Sequence, residues 1–374
     1  MKSNSVLITL LAATLLLLTH QKPQLKFNAL GKFKILQLTD IHLGEREDLD
    51  IRTLEVIRTV IEKEKPEMVF ISGDAVSGYA WDKNTTGWFD YQFRKLERVL
   101  AEFKMPWAFT AGNHDAEGDY DRQQISNLIR SFENSVTLPN AGKLSHEFNY
   151  VLPVYSNDGK NIEFRLWSID TGASYGCMGS HGYDCVRDDQ IQWFRQANQN
   201  ISSDDPTKGK AILFTHIPMH EYMNLYNYND IFGLKGEEVC CPAVNTGLFS
   251  AIVEDKTVEW VTCGHDHNND YHGTWEGIHL AYGRKTGYAS YGPQSFLRGS
   301  RIFEITLNPY KIDTWIRQED GTVDKKDGYT QKVLKATSQQ YCCGLTVINN
   351  DESQSMKIAA NLLLIIGALV ISLS

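Results

Sequence analysis

Five short apolar runs along the chain each end at, or just before, a residue that can bind a metal ion. In open α/β sheets, ligands gather at the carboxyl ends of parallel strands. Each of these residues alone has an ordinary interpretation, because aspartates cap helices and asparagine or histidine is common in turns. Five such residues at the same kind of position predict one convergent site. The residues are Asp40, Asp74, Asn113, His216 and His265.

The order of elements predicts an α/β fold. The strand-like runs "FKILQLTD" (33–40), "EMVFISGD" (67–74) and "MPWAFTAGNHD" (105–115) are separated by helical patterns at 49–65 and 91–103. This alternation implies parallel strands covered by helices. Later runs predict further strands, with helices at 188–199 and 242–254. Because no composition break interrupts this region, one domain over residues 30–318 is expected, followed by a polar stalk over 319–357.

Both ends of the chain resemble targeting segments. Residues 1–21 combine an early lysine with a short apolar run, which is typical of a signal peptide. A hydrophobic segment at 358–374 follows small polar residues, the pattern of a lipid-anchor (GPI) attachment signal at Asn349 or Asn350. A short membrane helix is the alternative. Either way we expect entry into the secretory pathway and a membrane-tethered protein, at the cell surface or in an endomembrane lumen.

The seven cysteines fit an oxidising compartment, where disulfides persist. Cys177 and Cys185 are close enough in sequence to form a local disulfide, and Cys263, at the end of a strand-like run, is the expected free and buried thiol. The spacing leaves the other pairings open. Two sequons, at Asn84 and Asn200, predict glycosylation. The net charge of −9 excludes general nucleic-acid binding, which requires a basic surface.

The candidate metal ligands occur in five blocks: "DIH" at 40–42, "GD" at 73–74, "GNHD" at 112–115, "TH" at 215–216 and "GHDH" at 264–267. All the donor atoms are nitrogen or oxygen, which suits manganese, iron or zinc. Seven ligands are too many for one tetrahedral ion. They suit two ions that share a carboxylate. The ligand types do not distinguish between manganese, iron and zinc.

In order and spacing, these blocks resemble those of the metallophosphoesterase (calcineurin-like phosphatase) superfamily, over about residues 33–310. The resemblance implies an αββα sandwich, two mixed sheets flanked by helices. It assigns Asp40, His42 and His267 to one metal, and Asn113, His216 and His265 to the other, with Asp74 bridging both.

Further motifs, such as "PWAFTAGNHD" and "AYGRKTGYASYG", are similar to those of fungal phosphatases and plant purple acid phosphatase-like proteins. Purple enzymes carry a tyrosine three residues after the bridging aspartate. This chain has Ser77 there, and it has His42, which the purple enzymes lack. The resemblance therefore implies a dinuclear site without the purple tyrosinate.

The resemblance implies a phosphomonoesterase in which a metal-bridging hydroxide attacks phosphorus in line. His114 would assist the leaving group, and Asp115 would orient the His114 ring. A phosphodiesterase, sphingomyelinase-like or acting on nucleotides, is the alternative, and a non-catalytic surface binding protein is a third. Arg284 and His220 are candidate substrate contacts, although a structural salt bridge and a surface histidine explain them equally well. Substrate specificity is expected in loops 75–90, 171–187 and 221–240.

Overall fold

The computed structural model describes residues 22–204, 210–325 and 338–343. The predicted signal peptide, the hydrophobic segment at 358–374 and the candidate attachment residues Asn349 and Asn350 lie outside these ranges. Within the ranges described, no helix has the length and apolar character needed to cross a membrane.

The first sheet has six strands and contains the three parallel strands expected from the sequence. Strand β1 lies beside β2, and β2 beside β3, all parallel. The later strands β11, β12 and β13 extend the other edge in antiparallel fashion, so the order is β13-β12-β11-β1-β2-β3. These strands are β1 (Lys32–Leu38), β2 (Met68–Ser72), β3 (Trp107–Thr110), β11 (Gly299–Leu307), β12 (Tyr310–Gln318) and β13 (Val323–Asp324).

The second sheet has seven strands in the order β4-β5-β6-β8-β10-β9-β7. Its central strands β5, β6, β8 and β10 are parallel, and the outer pairs are antiparallel. Two mixed sheets flanked by helices confirm the predicted αββα architecture. The strands are β4 (Tyr150–Tyr155), β5 (Ile162–Ser168), β6 (Ala211–Phe214), β7 (Ile231–Phe232), β8 (Val258–Cys263), β9 (His272–Trp275) and β10 (Ile278–Tyr282).

The helices follow the predicted pattern, with differences at their ends. The helix predicted at 242–254 begins only at Leu248, after Gly247 adopts a left-handed backbone. The helix Trp88–Glu102 (α2) has no capping side chain from its N-cap residue, Gly87. Instead, the Asp119 carboxylate accepts hydrogen bonds from the backbone N–H groups of Gly87, Trp88 and Phe89. The helices are α1 (Glu47–Glu64), α2 (Trp88–Glu102), α3 (Arg122–Ser131), α4 (Asp188–Asp204), α5 (Glu221–Tyr228) and α6 (Leu248–Asp255).

The two sheets are joined by aromatic packing and by one buried amide. Phe70 of the first sheet stacks on Phe214 of the second with ring centroids 3.8 Å apart. Near the carboxyl ends of the strands, the Gln37 amide donates to the Ser72 hydroxyl and the Cys263 carbonyl, and it accepts from the Thr262 hydroxyl. A buried amide with these partners satisfied fixes the relative position of the strand ends. The same ends carry the predicted ligands.

The cysteines confirm the predicted local disulfide and the free thiol. Cys177 pairs with Cys185, and Cys263 is buried and unpaired. Cys240 pairs with Cys343 and Cys241 with Cys342, connections that the spacing left open. Residues 338–343, assigned to a stalk from the sequence, are therefore fastened to the domain. Strand β13 also lies beyond residue 318, so the folded unit extends past the predicted boundary.

We predict that the paired disulfides contribute more to stability than the local one. Each closes a loop of about a hundred residues (separations 103 and 101), against 8 for Cys177–Cys185. In the chain-entropy model, losing the long-loop pair lowers the free energy of unfolding by about 5 kcal/mol, and losing the short one by about 2.5 kcal/mol. Urea unfolding of a variant with Cys240, Cys241, Cys342 and Cys343 changed to serine, beside Cys177→Ser/Cys185→Ser, measures this difference. An equal or larger loss in the short-loop variant would contradict it.

Candidate metal centre

The predicted ligands lie on turns that follow the strands, and several of these turns have an unusual backbone. Asp40, His42, Asp74 and His265 all have positive φ, between 51° and 77°. For residues other than glycine this left-handed conformation costs on the order of 1 kcal/mol each and is concentrated at functional sites. Backbone hydrogen bonds hold the turns together, since the Asp40 N–H donates to the Gly73 carbonyl and the His42 N–H to the Asp74 carbonyl.

Glycines allow these turns to approach one another closely. A Cβ on Gly112 would overlap the Asp74 carboxylate, and one on Gly264 would overlap the Thr39 hydroxyl. The "GD", "GNHD" and "GHDH" blocks therefore require glycine for space. This packing brings together side chains that are up to 227 positions apart in sequence (40 to 267).

The ligand atoms form two adjoining groups. In the first, one atom from each of Asp40, His42 and His267 lies within 4.8 Å of the others. In the second, the same holds for Asp74, His216 and His265.

The short "GHDH" turn contributes to both groups. His265 lies with His216, and His267 lies with His42, their Nε2 atoms 3.1 Å apart. Asp266 between them turns away and accepts hydrogen bonds from the Tyr282 hydroxyl and the Cys240 N–H. Two histidines two positions apart can serve different groups because their side chains diverge.

Asp74 joins the two groups. Its Oδ2 lies 3.1 Å from His216 Nε2 and 3.7 Å from His42 Nε2. The Asn113 Oδ1 also lies 3.1 Å from the same Nε2, while the Asn113 amide donates to the Ser174 hydroxyl. All seven predicted ligands are therefore together, and Asp74 occupies the position between the groups that a bridging ligand requires.

The donor set fits a pair of metal ions. Burial lowers the pKa of His42, His265 and His267 well below its usual value, so these imidazoles are neutral and have a lone pair available. The Nε2 atom of His265 is buried and, among the described residues, has no hydrogen-bond partner. A buried polar atom without a partner is costly unless a ligand satisfies it.

The other ring nitrogens of three ligands are held by oxygen atoms. His42 Nδ1 lies 2.9 Å from Ser77 Oγ, His216 Nδ1 lies 2.9 Å from the Ser72 carbonyl, and His267 Nδ1 lies 2.9 Å from the Tyr291 carbonyl. Such contacts fix the tautomer that leaves Nε2 free for a metal. Ser77 stands where purple enzymes have tyrosine, and here it supports His42.

The buried Asp74 carboxylate requires a positive charge beside it, as its effect on His216 shows. Burial disfavours a charged His216 ring, but the adjacent Asp74 carboxylate outweighs burial and raises the His216 pKa to about 9. A proton on His216 therefore partly satisfies the carboxylate. A metal cation would satisfy it better, and binding would release that proton.

His114 lies beside the groups, but its predicted partner was wrong. The Asp115 carboxylate is buried and accepts hydrogen bonds from the N–H groups of Gly112, Asp74 and Val76, so it stabilises the turns. Instead, Glu117 Oε2 lies 2.6 Å from His114 Nδ1. Glu117 is three positions after His114, a spacing that brings side chains together in a helical turn, and this signal could have identified it.

The two candidate substrate contacts are not in the site. Arg284 is 3% exposed, forms an ion pair with Asp270 and donates to the Leu297 carbonyl, so it has a structural role. His220 lines a small cavity with residues such as Pro242 and Phe249, beside the Cys241–Cys342 disulfide. None of the seven predicted ligands lines that cavity. The sequons Asn84 and Asn200 are exposed, and their glycosylation stays a prediction.

Sequence reasoning missed three tyrosines that contact the ligand rings and His114. Tyr291 stacks on His267 with centroids 4.0 Å apart, Tyr183 meets His265 edge-on at 4.3 Å, and Tyr79 meets the His114 ring edge-on at 4.7 Å. Two of the three belong to loops 75–90 and 171–187, which the sequence marked for specificity without naming residues.

Residues 33–269 match the family model of the calcineurin-like phosphoesterases. The chain belongs to the calcineurin-like phosphoesterase family. It is 27% identical over 346 residues to "Probable inactive purple acid phosphatase 29" of Arabidopsis thaliana, covering 81% of this chain and 86% of that protein. It is 30% identical over 327 residues to "Phosphatase DCR2" of Saccharomyces cerevisiae, covering 77% of this chain and 54% of that protein.

A solved structure shares the fold of this calcineurin-like phosphoesterase. A dimetal phosphatase from Danio rerio aligns with a TM-score of 0.53 at 12% identity, covering 79% of this chain and 99% of the other. At this identity the likeness shows the fold alone. The predicted family and fold are confirmed, and the candidate ligand groups lie in a dimetal phosphoesterase fold.

We expect the purified protein to bind about two metal ions per chain, as two-metal sites of this kind do. Asp74→Ala should lower the content below one, because it removes the donor shared by both groups and leaves His216 without its carboxylate. His114→Ala is the matched control and should keep about two ions, since His114 belongs to neither group. Elemental analysis after gel filtration in manganese or zinc measures this. Retention of two ions by Asp74→Ala would exclude the bridging assignment.

Proposed function

We propose that this calcineurin-like phosphoesterase is a dinuclear metal-dependent phosphomonoesterase. The observation that carries the proposal is the pair of donor groups joined by Asp74, together with the unsatisfied Nε2 of His265. In this assignment Asp40, His42 and His267 hold one ion. Asn113, His216 and His265 hold the other.

The bound ions would supply an activated water molecule and neutralise the phosphate oxygens. The residues of the chain place the ester and handle the leaving group. In the hydrolysis, a P–O bond to water oxygen forms, the ester P–O bond breaks, and the departing alcohol oxygen gains a proton.

In this proposal His114 assists the leaving oxygen. Its backbone N–H donates to Asp74 Oδ1, which fixes its position relative to both donor groups. Its Nδ1 is occupied by Glu117, so Nε2 is the atom available to the substrate. Ser174 donates to the other Glu117 oxygen and completes the support of this ring. Positioned general acids of this kind contribute about 10²–10⁴-fold to rate.

Two other functions compete with this one. The names of related proteins favour a phosphatase over a phosphodiesterase. A non-catalytic role is raised by the word "inactive" in the names of the plant relatives. Against it stands the complete set of seven donors in this chain, because a scaffold that has lost catalysis is free to lose its metal ligands.

We also propose that the protein acts in the secretory pathway or at the cell surface, tethered to a membrane and meeting a phosphate ester there. The three disulfides support an oxidising compartment. Immunolocalisation of the full chain, with and without residues 344–374, tests the compartment and the tether together.

Because Glu117 supports His114 and Asp115 stabilises the turns, we predict that two similar substitutions affect different properties, turnover in one case and stability in the other. Glu117→Gln should lower kcat by about 10-fold with unfolding unchanged, because it weakens the support of His114. Asp115→Asn should instead lower the free energy of unfolding by about 2 kcal/mol, since an amide has one acceptor oxygen where three N–H groups donate. Steady-state kinetics and urea unfolding of both variants measure this. If Asp115→Asn alone lost turnover at full stability, Asp115 would regain the orienting role.

Hydrolysis of p-nitrophenyl phosphate and its bis-ester by the metal-loaded protein tests the function. We expect a larger kcat/KM for the monoester, and no turnover after chelation. His114→Ala should lower kcat by about 100-fold or more on an alkyl phosphate and by less on p-nitrophenyl phosphate, whose leaving group needs little protonation. Preference for the bis-ester would establish the diesterase. Two bound ions without turnover of either ester would favour the binding protein.

A further inference from the structure

The opening of the metal centre is aromatic. Tyr79 and Tyr291 are 46% and 49% exposed, although each packs against a ring of the site, His114 and His267 respectively. Tyr183 is half-buried against His265. Large exposed aromatic side chains beside a buried polar centre indicate a surface that contacts a ligand.

The opening is also acidic. Glu45 accepts hydrogen bonds from the Tyr79 and Ser77 hydroxyls and from the Ser290 N–H. Glu117 contacts His114 and Ser174, as described above. Glu237 accepts from the Tyr291 hydroxyl and the Asn268 N–H. Among the described residues, Glu45 and Glu237 form no ion pair with lysine or arginine, and Glu117 pairs with His114. We call Tyr79, Tyr183, Tyr291, Glu45, Glu117 and Glu237 the mouth of the site.

Two basic residues near the centre, Lys285 and Arg122, make their hydrogen bonds inside the fold. Lys285 is buried and donates to the Asp40 carbonyl. Arg122 pairs with Asp170 and donates to the carbonyls of Gly112 and Gly172. We call the part of the site formed by the seven predicted metal ligands its floor. The phosphate would therefore find positive charge there, from the metals and His114. The part of the substrate that extends outward meets carboxylates and tyrosine rings.

This arrangement favours a substrate whose alcohol part carries positive rather than negative charge. An alcohol that carries further phosphates or carboxylates would be repelled by Glu45 and Glu237, whose charges no lysine or arginine pairs among the described residues. An ammonium group is attracted both by carboxylates and by the faces of aromatic rings, which is how quaternary ammonium ligands are recognised. We propose that the natural substrate is a phosphate monoester of an alcohol that bears a positively charged amine, such as phosphocholine or phosphoethanolamine. This inference rests on the proposed function.

The position of the mouth agrees with the direction of the reaction. His114 marks the end of the site from which the alcohol departs, and Tyr79 and Glu117 both contact the His114 ring. Glu45 connects Tyr79 to the backbone of Ser290, the residue before Tyr291. Tyr79, Glu117 and Glu45 thus lie on the His114 side of the opening, where the alcohol would leave in the proposed reaction, and Glu45 links them to the segment that carries Tyr291.

A matched pair of substrates tests the inference. Phosphocholine and 3,3-dimethylbutyl phosphate have the same shape, but the second has carbon in place of nitrogen and no positive charge. We expect the metal-loaded enzyme to show a kcat/KM for phosphocholine at least about 10-fold higher than for the neutral isostere, the discrimination expected of cation–ring contacts supported by carboxylates. A ratio of about one or below would overturn the inference.

Variants locate the discrimination in the mouth. Tyr79→Leu and Tyr291→Leu should each reduce the ratio several-fold, whereas Tyr79→Phe and Tyr291→Phe should largely keep it, because the ring face remains. Tyr228→Leu is the control, since Tyr228 is 73% exposed beside Trp275 and belongs to neither the mouth nor the ligands. A ratio that stays at the wild-type value in both leucine variants would refute recognition by these rings.

One further substrate separates this inference from the proposed function. If p-nitrophenyl phosphate is hydrolysed and the charged and neutral alkyl phosphates are turned over equally, the enzyme is a phosphomonoesterase without amine specificity, and only the inference fails. If the protein binds two metal ions and hydrolyses none of the three esters, the proposed function itself fails.

Discussion

The Asp74 carboxylate is the contact on which the arrangement of the site depends. One oxygen faces His216 and His42, and the other accepts the N–H of His114. A carboxylate that is 1% exposed is stable only if positive charge or several hydrogen bonds compensate it. Asp74 therefore sets the separation of the two donor groups and the position of His114 at once. Asp115 holds the turns of Asp74 and Gly112 against each other, because its carboxylate accepts hydrogen bonds from the N–H groups of both residues.

The ligands could be predicted from the sequence because strand ends are regular. Apolar runs separated by helical patterns indicate parallel strands, and their carboxyl ends share one edge of a sheet. The resemblance to a known family then divided the ligands between two metals, and the structure brings Asp40, His42 and His267 together as that division requires. The direction of a side chain within a turn has no such regularity. Asp115 and Glu117 are two positions apart, and only the location of unpaired N–H groups decides which one turns inward.

Burial and chain connection were the other properties that the sequence left open. Arg284 was a reasonable phosphate contact after a strand, but its partner Asp270 lies 14 positions away, and burial makes the pair structural. Adjacent cysteines at Cys240 and Cys241 can pair with Cys342 and Cys343 in either order, and spacing does not distinguish the two. Both cases depend on which segments pack together, a consequence of tertiary structure that local patterns do not contain.

One acidic side chain, Glu45, belongs to the mouth of the site and also supports a metal ligand. Glu45 binds the Ser77 hydroxyl, which supports His42, and it also binds the Tyr79 hydroxyl at the opening. Replacing its charge to suit a more anionic substrate would therefore loosen the support of a ligand. Carboxylates this close to the centre are tolerated because two cations at the floor would offset them, and they repel a second anionic group on the substrate. The proposed preference for a substrate without further negative charge therefore depends on the same Glu45 carboxylate that helps to hold His42 in place.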